Sequence, residues 1–95
     1  MDESICLGRM VYATAGRDKG KYFLIIGILD DKYVYISDGE SRTFEKPKKK
    51  KVIHLKMENR VNYELREMIL AGVGSNISNI KIKRFLQSKD GNEEV

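Results

Sequence analysis

Ninety-five residues, with 18 Lys+Arg against 14 Asp+Glu and a net charge of +4, have room for one small domain with a modest core and exclude a two-domain architecture. A single cysteine and a single histidine exclude an internal disulfide and a zinc site built from such ligands, and they suit a reducing, cytoplasmic compartment. The first residues lack the charged and apolar regions of an export signal, and no apolar run approaches membrane-spanning length, so the chain reads as soluble and unexported.

Charge is distributed unevenly. Residues 7–87 carry 17 basic and nine acidic side chains, a net charge of +8, while Asp2, Glu3, Asp90, Glu93 and Glu94 lie near the two ends. A basic body of this kind attracts polyanions, either nucleic acid or anionic lipid.

Residues 1–6 read as an N-terminal tail. A first strand is predicted over residues 8–14, and a second, almost continuously apolar, over 21–29. In an extended chain Tyr22, Leu24, Ile26 and Ile28 face one way and Phe23, Ile25 and Leu29 the other, so strand two needs cover on both faces. A barrel interior supplies only one. Residues 30–32 form a turn into a third strand over 33–36, and Asp38-Gly39 is a hairpin signal before a fourth over 41–44. Residues 46–51 place five positive charges in six positions and read as a basic loop, after which residues 52–55 close the sheet. Asn59 is a candidate cap for a helix whose Val61, Leu65, Met68 and Ile69 share a face and whose end is marked by Gly72. Residues 72–76 form a linker. Ser78 can cap a second helix, with Ile77 and Ile82 as a hydrophobic staple and Ile82, Phe85 and Leu86 as its apolar stripe. Both helices are expected to pack outside the barrel against the second face of strand two.

The connection between strands one and two, Ala15-Gly16-Arg17-Asp18-Lys19-Gly20-Lys21, is glycine-rich and basic together. Glycine permits a sharp turn and close approach of another backbone, and Arg17, Lys19 and Lys21 suit phosphates. With Gly8, Val11 and the alternating apolar residues that follow, this stretch resembles a KOW motif. Gly16 falls on that family's signature glycine and Lys19-Gly20-Lys21 on its basic turn, while Phe23 stands where many such motifs carry a second glycine. Over roughly two thirds of the chain, including residues 27–31 and 36–39, the resemblance extends to bacterial single-KOW proteins related to an archaeal and eukaryotic large-subunit ribosomal protein. It implies a small SH3-like β-barrel of about five strands whose loops contact RNA.

The expected organisation is thus mainly β: a barrel over residues 7–56, a two-helix extension over 57–87 and an acidic tail over 88–95. The expected function is non-catalytic RNA binding in translation, with ribosomal RNA as the partner and ribosomal proteins beside it, and with neither cofactor nor membrane. Arg17, Lys19 and Lys21 would neutralise phosphates, Gly16 and Gly20 would admit the backbone, and Lys48, Lys49, Lys50 and Lys51 would add long-range attraction. Arg9 and Tyr12 on strand one complete the candidate set. Tyr12 could stack on an unpaired base or pack along the sheet. Two readings compete for each lysine cluster, since cations also keep exposed edges and loops soluble. Asp30-Asp31 and Asp38-Gly39-Glu40 fit turns before any cation site. His54 lacks a catalytic partner, and no nucleophile, base and oxyanion donors assemble. A protein-interaction module using the barrel or the helices is the alternative function.

Overall fold

The computed structural model describes residues 4–72 and 78–88. Within them run strands β1 (Arg9–Ala13), β2 (Tyr22–Ile28), β3 (Tyr33–Ser37), β4 (Lys48–Lys51) and β5 (Leu55–Val61), then helices α1 (Tyr63–Leu70) and α2 (Asn79–Gln87). All neighbours pair antiparallel, in the order β4-β3-β2-β1-β5. The two edge strands, β4 and β5, are consecutive in sequence and joined by one turn of 3-10 helix, Val52–His54. That short connection curls the sheet into an SH3-like barrel.

The alternation of β2 builds two cores. Phe23 and Ile25 point inward with Val11, Ala13, Val34, Ile36 and Leu55. Leu24 and Ile26 point outward with Met10, and Leu65, Ile82 and Leu86 from the two helices cover them. The helices therefore hide the second face of β2, as its apolar surplus requires. A bulge between Ile25 and Gly27 corrects the expected facing beyond that point. One extra residue on β2 reverses the alternation, so Ile28 packs against the interior rather than the helix side, and Leu29 is exposed. Phe23, at the position of the family's second glycine, is fully buried in the barrel.

Five further expectations are corrected. Residues 41–44 form no strand: they belong to a loop over residues 38–47, organised by Asp38. Its Oδ1 accepts the N–H groups of Glu40 (2.9 Å) and Arg42 (2.8 Å), and its Oδ2 accepts the Ser41 hydroxyl (2.9 Å). Partial burial pushes the Asp38 carboxyl up, but these hydrogen bonds outweigh burial and hold its pKa below the ordinary value. The lysine run is not a loop but strand β4, because β3 offers a free edge onto which Lys48–Lys51 pairs residue for residue. The closing strand begins at Leu55 and extends to Val61, past residue 56, and the residues before it form the 3-10 turn. The cap of α1 is Asn62, not Asn59: its side chain accepts Leu65 N–H at 2.9 Å, and its own N–H donates to Gly8 O at 2.8 Å, tying the helix start to β1. The segment read as a tail also contributes Ile5 to the barrel interior.

Ser78 caps α2 as expected, and Gly72 ends α1 with φ +76°. The Ile77–Ile82 staple, most of the 72–76 linker and the acidic residues 89–95 lie outside the described residues. The far end of α2 is held from β5, where the Arg60 guanidinium lies over the Phe85 ring at 5.2 Å and donates to Ser88 O. At its near end the Asn79 side chain accepts Phe44 N–H at 2.8 Å and donates to Glu45 at 3.0 Å, fastening the 38–47 loop to the helix.

Candidate functional site

The β1–β2 connection is a compact hairpin loop. Ala13 and Lys21 close its base (2.9 Å), Gly20 N–H returns to Ala13 O (2.9 Å), and Lys19 and Lys21 N–H groups donate to Gly16 O (3.2 Å) and Asp18 O (3.1 Å). These successive tight turns require left-handed backbone at Gly16, φ +83°, and Gly20, φ +91°. With the backbone so folded, Arg17, Lys19 and Lys21 are exposed, and Asp18 turns inward to 5% exposure. Among the described residues none of the three cations enters an ion pair.

Strand β4 supplies the support behind this loop. The two-residue period of a strand sends Lys48 and Lys50 to the side of their partners Ile36 and Val34, and Lys49 and Lys51 to the side of Tyr35 and Tyr33. Lys50, only 7% exposed, donates from Nζ to Ala15 O at 2.9 Å. Lys48 Nζ lies 3.7 Å from Asp18 Oδ2, and Arg42 Nη2 from the 38–47 loop lies 3.9 Å from the same oxygen. That buried oxygen has no hydrogen bond, so two cations hold it by attraction alone. A Cβ at Gly16 would sit 2.9 Å from Lys50 Nζ, which is why the loop and the strand can meet so closely there. The loop is thus latched from behind at Ala15 and Asp18, with Arg17, Lys19 and Lys21 left facing solvent.

The sequence-derived candidates consequently divide. Arg17, Gly16, Lys19, Gly20 and Lys21 share the hairpin loop. Lys49 and Lys51 are exposed on β4, with Lys49 Nζ 4.6 Å from the centre of the Tyr33 ring. Lys48 and Lys50 point toward the loop. Arg9 is half-buried at an irregularity between β1 and β5, where its Nη1 donates to Glu58 O at 2.6 Å. Tyr12 is half-buried on the outer face with its ring edge-on to Tyr22, centroids 4.9 Å apart. Sequence reasoning passed over Asp18 and Arg42; a lone acid among three cations in a tight turn was the available signal, because such a carboxylate needs a reason to be there.

Among the described residues no three His, Cys, Asp or Glu side chains gather as metal ligands, and no helix is long and apolar enough to cross a membrane. No protein-family model matches the chain. Over 63 residues, 66% of this chain and 85% of the other, it is 35% identical to the "Putative ribosome-binding protein YbzG" of Bacillus subtilis (strain 168). That degree of identity, spanning most of the relative's length, places the chain in the family of this Bacillus subtilis protein.

Proposed function

We propose that the protein is a non-catalytic, cytoplasmic RNA-binding protein of the ribosome, gripping the phosphate backbone of ribosomal RNA with the β1–β2 hairpin loop. The observation that carries this reading is the latched loop, with Arg17, Lys19 and Lys21 exposed and without ion pairs, and Asp18 and Ala15 pinned behind them. Cations already paired would have to break those pairs to reach a phosphate, and cations on a loose loop would lose freedom on binding. Among the described residues these three have no pair to break, and their hydrogen-bonded loop spares the backbone part of the ordering cost. The ribosome-binding name of the relative supports the target, and the KOW-like spacing around Gly16 supports RNA as the component contacted. Lys49 and Lys51 extend the positive field, and a lysine-dominated surface follows RNA shape more than base identity.

Co-sedimentation with purified ribosomal subunits and with protein-free ribosomal RNA, at graded salt, tests the reading. Five exposed cations, Arg17, Lys19, Lys21, Lys49 and Lys51, each meeting a phosphate give a log–log slope of about −3.5 to −4.5. Salt-independent binding would contradict it.

One observation favours a second reading, a protein contact at the 3-10 turn between β4 and β5. Ile53 is 81% exposed on the 3-10 turn, beside a recess of about 390 Å³ lined by Lys32, Tyr33 and Lys51. Binding to intact subunits but not to protein-free RNA would favour that surface.

A further inference from the structure

A cleft of about 490 Å³ opens beside the hairpin loop, where α2 and the 38–47 loop meet the start of β2. Lys21, the last cation of the hairpin, lines it together with Lys83 and Gln87 of α2. Tyr22 and Leu86 line it with apolar surface, and both also belong to the core beneath α2. Asp38, Glu40 and Ser41 of the 38–47 loop also line it. The Asp38 carboxylate is occupied by its own loop, and Glu40 lies 3.6 Å from Lys83 in an exposed pair that opens at little cost.

The charges on these walls decide what fits. Lys21 and Lys83 are offset by Asp38 and Glu40, so the cleft has no net attraction for a phosphate, and its carboxylates repel one. An uncharged planar ring suits it better. Tyr22 and Leu86 offer apolar surface, while the Gln87 amide, the Glu40 carboxylate and the Lys83 ammonium offer both donors and acceptors to a ring's polar edge. Lys21 belongs to the cleft and to the phosphate-facing hairpin at once, which puts a base and its own phosphate within one nucleotide's reach.

We propose that this cleft holds a single unpaired base of the RNA whose backbone lies on the β1–β2 hairpin, so that the protein selects RNA carrying an unpaired nucleotide beside a structured segment. The inference rests on the RNA-binding reading above and adds a site to it. The test uses the full-length, isotope-labelled protein and short RNA hairpins identical except for one bulged nucleotide, present or absent, with affinity and backbone-amide NMR shifts as readouts. The bulged RNA should bind about tenfold more tightly, the gain expected of one base held by stacking and hydrogen bonds. The amides of Lys21, Tyr22, Ser41 and Gln87 should shift with it, and Glu40→Gln and Gln87→Ala should each reduce the preference for the bulge. Equal affinity for the two RNAs, with shifts at Arg17 and Lys19 but none at Ser41 and Gln87, would overturn the base site and leave the backbone reading intact. No shift at either place would overturn both. A parallel titration with free nucleoside monophosphates separates the sources of the ring: if they saturate the cleft while the hairpin amides stay silent, the site serves a small molecule and the proposal fails.

Discussion

Lys50 and Lys51 are neighbours in the chain and opposites in the fold. Lys50 is buried with its ammonium on Ala15 O, whereas Lys51 is exposed. Lys50→Met keeps the apolar stem and removes the donor, so it should lower stability by about 1–3 kcal/mol, the penalty for a carbonyl left without its partner. Lys51→Met should change stability by less than about 0.5 kcal/mol. Urea midpoints of the two variants check the pair, and equal midpoints would deny the latch. Asp38 gives a pH signature at the same scale. Its folded pKa is depressed below the ordinary 3.8, so its contribution is fully present above that value and is lost as pH falls through the lower folded pKa. The stability difference between the native chain and Asp38→Ala, followed by urea titration, should therefore hold steady from neutrality to about pH 4 and narrow below it. Residue identity revealed the glycines of the turn and the exposure of Arg17, Lys19 and Lys21. It could not separate Lys48 and Lys50 from Lys49 and Lys51, because four identical residues carry no pattern and only pairing with β3 gives each a direction.

Among the elements, the helices matter because β2 has two apolar faces. Ile82 and Leu65 are fully buried against Leu24, Ile26 and Met10. Replacing either with alanine should cost about 2–5 kcal/mol, whereas Ile80→Ala, two residues before Ile82 on the opposite face of α2 and mostly exposed, should cost less than about 0.5 kcal/mol. Thermal or denaturant unfolding distinguishes them, and equal losses at Ile80 and Ile82 would mean the helix does not dock by this face. The need for this cover was legible from the nearly continuous apolar run of β2. Two elements were not. Lysine has low strand propensity, so residues 48–51 look like a loop until the free edge of β3 is present to template them. The bulge at Ile26 left one mark, Gly27 within the strand, but the apolar residues on either side are acceptable on both faces and so do not show the reversal. Asn62 lost to Asn59 in the sequence for a similar reason: Val61 fits a helix face and a strand equally well, and β5 claims it.

For the whole molecule, a positively charged body is combined with local pairing of the carboxylates around the hairpin loop and the cleft beside it. Asp18 is held by Lys48 and Arg42, Asp38 by its own loop, and Glu40 by Lys83. Exposed cations without an ion pair among the described residues include Arg17, Lys19 and Lys21 on the hairpin and Lys49 and Lys51 on β4. The overall charge balance was readable from composition, but its focus was not, because that depends on which lysines the fold turns inward. The most direct test of the central claim, that Arg17, Lys19 and Lys21 are the phosphate grip, is the salt dependence of ribosomal RNA binding by the triple alanine variant, with circular dichroism as the check on folding. The variant should stay folded, dissociate faster and lose about 2–3 from the magnitude of the log–log slope, the share of three phosphates. A folded variant with the affinity and slope of the native chain would contradict the account.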